Sequence, residues 1–172
     1  MGSSMKPDFK CKITCDFEVL RNSSIFAGAD GEMVKLFAYL AGRKKYAAGD
    51  YIIHEGREAE AAFYLLSGSA EVSVSHNDRE VVLQQLTPPV FFGELALLAR
   101  FKWFFNVRAL EGCETLIITR ESFQKVVEKF PARRESLIER IVQLRVQRLI
   151  EQTSFMLEKV PDSILNKGGP LL

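Results

Sequence analysis

The chain has 172 residues, 23 basic and 22 acidic side chains, and a formal net charge of +1. That length predicts one domain, with or without an appendage, able to bury about 70% of its unfolded surface. The charge balance excludes a body that holds nucleic acid by bulk electrostatics, though it leaves room for a local basic patch.

Apolar residues make up 47% and charged residues 26%, as in a soluble globular protein. No apolar run reaches the roughly 18 to 20 residues of a membrane-crossing helix, and the N-terminus lacks the zones of a secretory signal. The expected location is cytoplasmic. Residues 1–15 are expected to be flexible. Within them, Met1 to Met5 read as an expression remnant ahead of a second initiator methionine and stand outside the fold.

A helical zone is expected from Asp16 to Gly42. Val34, Phe37, Ala38, Leu40 and Ala41 recur at three-to-four spacing, Asp30 suits an N-cap, and Gly42 suits a stop. From Arg43 to Thr119 the pattern is β. Strands are expected at Tyr51–Ile53, Ala62–Leu66, Ala70–Ser75, Glu80–Leu86, Val107–Leu110 and Thr115–Thr119, punctuated by glycine, proline and asparagine turns. Short strands at this spacing predict an antiparallel barrel or jelly roll. Glu121–Lys129 reads as a short helix ended by Phe130-Pro131, and Pro131 then suits the first turn of a long helix to about Val160. Residues 161–172 are expected to be a flexible tail.

Val142, Val146, Leu149, Thr153, Met156 and Val160 step by four and three along that helix, a heptad seam suited to pairing with a second helix. Leu137, Ile141 and Leu144 form a second line, suited to packing on the barrel. The expected partner is a second copy through helix 131–160. Arg133, Arg134, Arg140, Arg145 and Arg148 make the helix basic, which reads as a solvated face or as a surface for an acidic partner.

Cys11, Cys15 and Cys113 form no CxxC and fall short of a four-ligand zinc or iron–sulfur site, so they read as reduced thiols, with Cys11 and Cys15 open to redox pairing. His54 and His76 sit on separate turns without companion ligands. None of the common catalytic or nucleotide-phosphate motifs occurs, so no enzyme activity, metal or cofactor is expected.

The informative stretch interrupts the β zone: Phe91-Phe92-Gly93-Glu94-Leu95-Ala96-Leu97-Leu98. Gly93 heads a short helical segment between strands. The string Phe92-Gly93-Glu94-Leu95-Ala96-Leu97, preceded by glycines at Gly49, Gly56 and Gly68, resembles the cyclic-nucleotide-binding domain family of the catabolite-activator and kinase-regulatory-subunit type, with Val107-Arg108-Ala109 falling where that family has the strand after this segment. The resemblance covers roughly residues 17 to 150.

It implies a mainly β fold: an antiparallel jelly-roll barrel within 16–130 including N-terminal helices, and a dimerisation or lid helix at 131–160. It further implies that Glu94 accepts from a ribose hydroxyl, and that Gly93, Leu95 and Ala96 lend backbone to a cyclic phosphate. Val72 and Leu83 would line a base pocket, with the long helix closing near Arg148 and Leu149. The ligand it implies is a cyclic nucleotide or a relative.

Three departures accompany the match. Trp103 stands ten residues after Gly93, where the family has a phosphate-binding arginine. Phe104 and Phe105 replace small residues, and Pro89-Val90 replaces a glycine-aspartate pair. An indole offers one N–H donor and no charge, so Arg100 and Lys102 are the expected substitutes.

Trp103 and its neighbours read either as stacking surfaces for a ligand ring, or as a plug that fills the pocket and leaves an interaction scaffold, or as an exposed patch for a protein partner. Glu94 reads either as the ribose acceptor or as a cap on nearby backbone N–H groups. Only 12 residues follow Val160, too few for the DNA-reading module of catabolite activators. The expectation is a sensor that binds no DNA itself, with a truncated transcription regulator as the alternative.

Overall fold

The computed structural model describes residues 9–77 and 79–159. The expected tail, Met1 to Met5, Val160 and the side chains of Cys11 and Met156 lie outside the described residues.

Helix α1, Phe9–Arg21, begins within the stretch expected to be flexible. Ile13, Phe17 and Leu20 form a sparse stripe separated by polar residues. Leu20 is fully buried and Phe17 packs against the same core. Asp16 is buried in the same helix because Arg43 donates to it from across the fold. A short 3-10 turn, Ser24–Phe26, leads to helix α2, Gly31–Leu40. The Asp30 carboxylate accepts from the N–H groups of Glu32 and Met33, at 2.9 and 3.3 Å, and so satisfies two of the orphan donors of the first turn.

Eight strands follow among the described residues, in two antiparallel four-stranded sheets. The first orders β1 (Gly42–Tyr46), β8 (Cys113–Thr119), β3 (Ala61–Ser67) and β6 (Val90–Phe92). The second orders β2 (Tyr51–Ile53), β7 (Asn106–Ala109), β4 (Ala70–His76) and β5 (Arg79–Leu86). This is the mainly β, helix-flanked architecture expected from the strand spacing. Two strands were not expected. β1 reads GRKKY and shows no apolar alternation; its ladder to β8 holds it, and only Tyr46 is buried. β6 has three residues, too few to display a period.

Alternation along β3 and β8 divides the interior in two. Ala62, Tyr64, Leu116 and Ile118 face the helices and join Leu20, Phe37, Phe123 and Ile141. Phe63 and Leu65 face the second sheet and join Ile53, Val72, Phe92, Val107 and Trp103. β3 is therefore apolar on both faces. Each large side chain buried in this way contributes about 1.5–3 kcal/mol.

Helix α4, Arg120–Lys129, leads across Phe130 into α5, Pro131–Lys159. Leu137 and Ile141 bury themselves in the helix-facing core, and Leu144 packs beside them. The Arg140 guanidinium donates to the Ser24 carbonyl at 3.0 Å. The early turns of α5 are thus anchored. Val142, Val146 and Leu149 lie on the other face, 46%, 48% and 55% exposed. Among the described residues, no helix is long and apolar enough to cross a membrane.

Candidate functional site

The segment between β6 and β7 holds the site together. Gly93 adopts φ +76°, and a Cβ there would come within 3.1 Å of Trp103 Cη2 and 3.4 Å of the Ala61 carbonyl oxygen. Glycine is required both by the left-handed backbone and by the indole lying against it. The single turn α3, Leu95–Leu98, follows. Arg120 pins its far end, donating to the carbonyls of Ala96 at 2.7 Å and Ala99 at 2.5 Å, and to that of Ala59.

The aromatic segment is laced to the loop before β3. The Phe101 carbonyl accepts from Ala59 N–H at 2.8 Å, Trp103 N–H donates to the Arg57 carbonyl at 2.9 Å, and the Trp103 carbonyl accepts from Gly56 N–H at 2.7 Å. This extended path alternates its side chains. Trp103 turns inward, with its ring 5.1 Å from Phe101 and 5.4 Å from Phe105. Lys102 stays exposed and pairs by backbone with Glu58.

Beside this wall lies a cavity of about 420 Å³. Val72, Leu83, Leu86 and Val107 supply its apolar floor from β4, β5 and β7, while Phe104 and Phe105 stand at one rim. Arg145, Arg148, Glu151 and Gln152 line it from α5. A recess of about 40 Å³ adjoins it; Leu95, Phe101 and Trp103 line only the recess, whereas Gly93, Glu94, Phe104, Phe105 and Arg145 line both spaces.

Glu94 is buried at 5% exposure and makes no bond to the N–H groups of α3, although it occupies the N-cap. It does not serve as a local cap. Its Oε1 accepts from Arg148 Nη1 at 3.0 Å, which ties the strand side of the cavity to α5. One turn further on, Gln152 donates to Gln84 at 3.4 Å. These two contacts hold the outer part of α5 over the barrel mouth.

Of the residues singled out in the sequence, Val72, Leu83, Gly93, Glu94 and Arg148 meet at the cavity, and Leu95 and Trp103 meet at the recess. Ala96 is fully buried beneath them. Arg100 and Lys102 are exposed and line neither space, so neither takes the place expected of a substitute cation. Leu149 likewise lies outside it, 55% exposed.

Arg145 was missed as a site residue, as were Gln84, Glu151 and Gln152. The signal was available on the helix: positions 145, 148 and 152 are spaced by three and four and so share a face. Apolar stripes drew attention to the other faces.

Residues 43–130 match the family model described as the cyclic nucleotide-binding domain. The chain belongs to that family. Among curated relatives, the potassium/sodium hyperpolarization-activated cyclic nucleotide-gated channel 2 of Homo sapiens is 27% identical over 161 residues, 94% of this chain. The chain spans 17% of that relative's length. The catabolite activator protein of Thermus thermophilus is similar in structure, with a TM-score of 0.65 and 25% identity, covering 79% of this chain and 62% of that one. The regulatory domain of Toxoplasma gondii PKA, crystallised with cAMP, shares the fold at a TM-score of 0.68 and 20% identity, covering 83% of this chain and 51% of that one.

Within this cyclic nucleotide-binding domain, two features carry the electrostatics. Trp103 brings no charge, and its buried ring packs in the inter-sheet core with Phe63 and Phe92. The positive charges at the cavity come from the helix instead. A second cavity, about 200 Å³, lies between the loop before α2 and the start of α5. Two of its polar groups are already engaged: Asp30 caps α2 and Arg140 holds the Ser24 carbonyl.

Proposed function

We propose that the protein is a non-enzymatic sensor that binds a cyclic nucleotide or a related small anion in the cavity between barrel and α5. It would report occupancy by moving that helix. The observation that carries the reading is the wall composition: a cavity of about 420 Å³ is lined by Gly93 and Glu94 from the barrel and by Arg145 and Arg148 from α5, with Arg148 already bonded to Glu94. A ligand shifts α5 only insofar as it binds one helix position better than another. Arg148 is the expected reporter, because it already holds Glu94 at 3.0 Å and must share or surrender that carboxylate to a ribose hydroxyl.

The exposed seam of Val142, Val146 and Leu149 supports pairing of α5 with a second copy. Light scattering on the wild type and on Val146→Glu checks this; a monomer in both would sink it. The reading puts the protein in the cytoplasm, where cyclic nucleotides act.

Calorimetric titration with cAMP and with cGMP tests the ligand. Binding should raise the melting temperature, since ligand at one hundred times Kd adds about 2.7 kcal/mol. Absence of both heat and thermal shift at millimolar nucleotide would overturn the reading. It would then favour a scaffold whose recess is taken by its own rings, a reading supported by the buried Trp103 and opposed by the open volume beside it.

A further inference from the structure

We propose that Arg145, on α5, is the cation that receives the negative group of the ligand. The duty that a cassette arginine would have had is thereby moved from the barrel to the helix. The inference rests on the ligand reading above and adds the chemistry of recognition: a small anion carrying an aromatic ring, with its charge directed at α5.

Three observations converge on Arg145. First, Trp103 brings no charge, and the two exposed cations of its own segment, Arg100 and Lys102, line neither space. Second, among the described residues lining the cavity the positive charges are Arg145 and Arg148, and Arg148 is engaged by Glu94. Arg145 has no ion pair or hydrogen bond, although Glu151 stands on the same wall and accepts instead from Gln147 at 3.2 Å. Third, Arg145 is the one α5 residue lining both the cavity and the recess, the recess being walled by Gly93, Glu94, Leu95 and Trp103.

A half-buried, unpaired guanidinium at the edge of a largely apolar hollow suits phosphate, because its planar fork donates to two oxygens at once. Phe104 and Phe105, edge-to-face at 5.0 Å on the same rim, offer a surface for a ring. A charge held in this way bears directly on the moving element, so ligand charge and helix position become one coupled quantity.

The test is calorimetry on the whole chain with three probes, cAMP, AMP and adenosine, on wild type, Arg145→Gln, Arg145→Lys and Arg134→Gln. Arg134 is an exposed α5 arginine away from the cavity and controls for general charge. Arg145→Gln removes no bond the fold uses, and a circular dichroism melt verifies folding.

The expected result is wild-type preference for cAMP or AMP over adenosine, with Arg145→Gln weakening the two anions by about 10- to 100-fold and adenosine by less than about twofold. Arg145→Lys should lie between, keeping charge without the fork, and Arg134→Gln should match wild type. If Arg145→Gln keeps full affinity and preference for the anions, or weakens adenosine equally, the inference falls while the ligand reading stands. If the wild type gives no heat with any of the three probes, the ligand reading falls and takes the inference with it.

Discussion

Replacing Arg148 with alanine should loosen the outer half of α5 without unfolding the barrel. The substitution leaves the Glu94 carboxylate, 5% exposed, with no partner. Stranding one member of a buried pair costs about 3–5 kcal/mol, but the Arg148 side chain is 30% exposed, so water already screens the contact. A cost of about 1.5–3 kcal/mol is the reasonable expectation, and for a chain this size that lowers the melting temperature by about 3–12 °C.

Glu94→Gln should cost less, about 0.5–1 kcal/mol, because Arg148 can extend its head into solvent whereas Glu94 cannot. The double variant should therefore be less destabilised than the two singles summed, with a coupling of about 1 kcal/mol. Urea denaturation supplies the four free energies. Hydrogen exchange locates the effect: Leu137 and Ile141 anchor the early turns, so faster exchange should be confined to amides beyond residue 145. An Arg148→Ala protein within about 0.5 kcal/mol of wild type, with unchanged exchange in α5, would refute the idea that this ion pair fastens the helix.

Arg43→Ala should be destabilising for a related reason. Arg43 donates to Asp16, whose side chain is 2% exposed, and to Glu114 at 3.0 Å; these contacts, the Asp16 hydrogen bond foremost, hold the guanidinium more firmly protonated than usual. Removing it strands Asp16 between α1 and the barrel at about 2–4 kcal/mol, read as a melting-temperature drop of about 5–15 °C; an unchanged melt would contradict the account.

Stability should also decline at alkaline pH. Burial pushes up the Cys113 thiol, and likewise the phenols of Tyr46 and Tyr64. Each is held neutral in the folded state, so its contribution is intact below the unfolded value and is lost as pH rises through the raised one. The decline should begin near pH 8.5 for the thiol and deepen near pH 10 for the phenols. Melting curves from pH 7.5 to 10.5 check this. Cys113→Ala should delay the onset, and a flat profile would contradict it.

Much of the fold was legible because its signals are local. Asp30 followed by a three-to-four apolar spacing specifies α2 from sequence neighbours alone, and the capping bonds to Glu32 and Met33 are made within three residues. Glycine turns delimit β2, β3 and β4 in the same way. β1 was illegible because GRKKY takes its strand conformation from the ladder to β8, some 71 residues away by the Arg43–Glu114 contact. Only the end of α1 fell within the expected helical zone; its start, residues 9–15, was illegible because the apolar stripe is thin and its most informative residue, Asp16, is a buried charge whose partner lies on another element.

The site divides along the same line. Gly93 and Glu94 could be picked out from a contiguous string, since a positive-φ glycine followed by a single helical turn is a property of adjacent residues. Whether Trp103 would plug the hollow or lie beside it depended on the strand-like pairing of 101–103 with 56–59, which turns the indole into the core and leaves the cavity open. The chain by itself thus determined a helix-flanked antiparallel barrel with an interrupted strand and a long amphipathic helix, because periodicity and turn chemistry are written in short windows. Only the tertiary structure decided which face of that helix closes the barrel mouth. The contact that does so, Arg148 to Glu94, joins residues 54 apart, and three faces of α5 compete for burial until the packing of Leu137 and Ile141 sets its rotation.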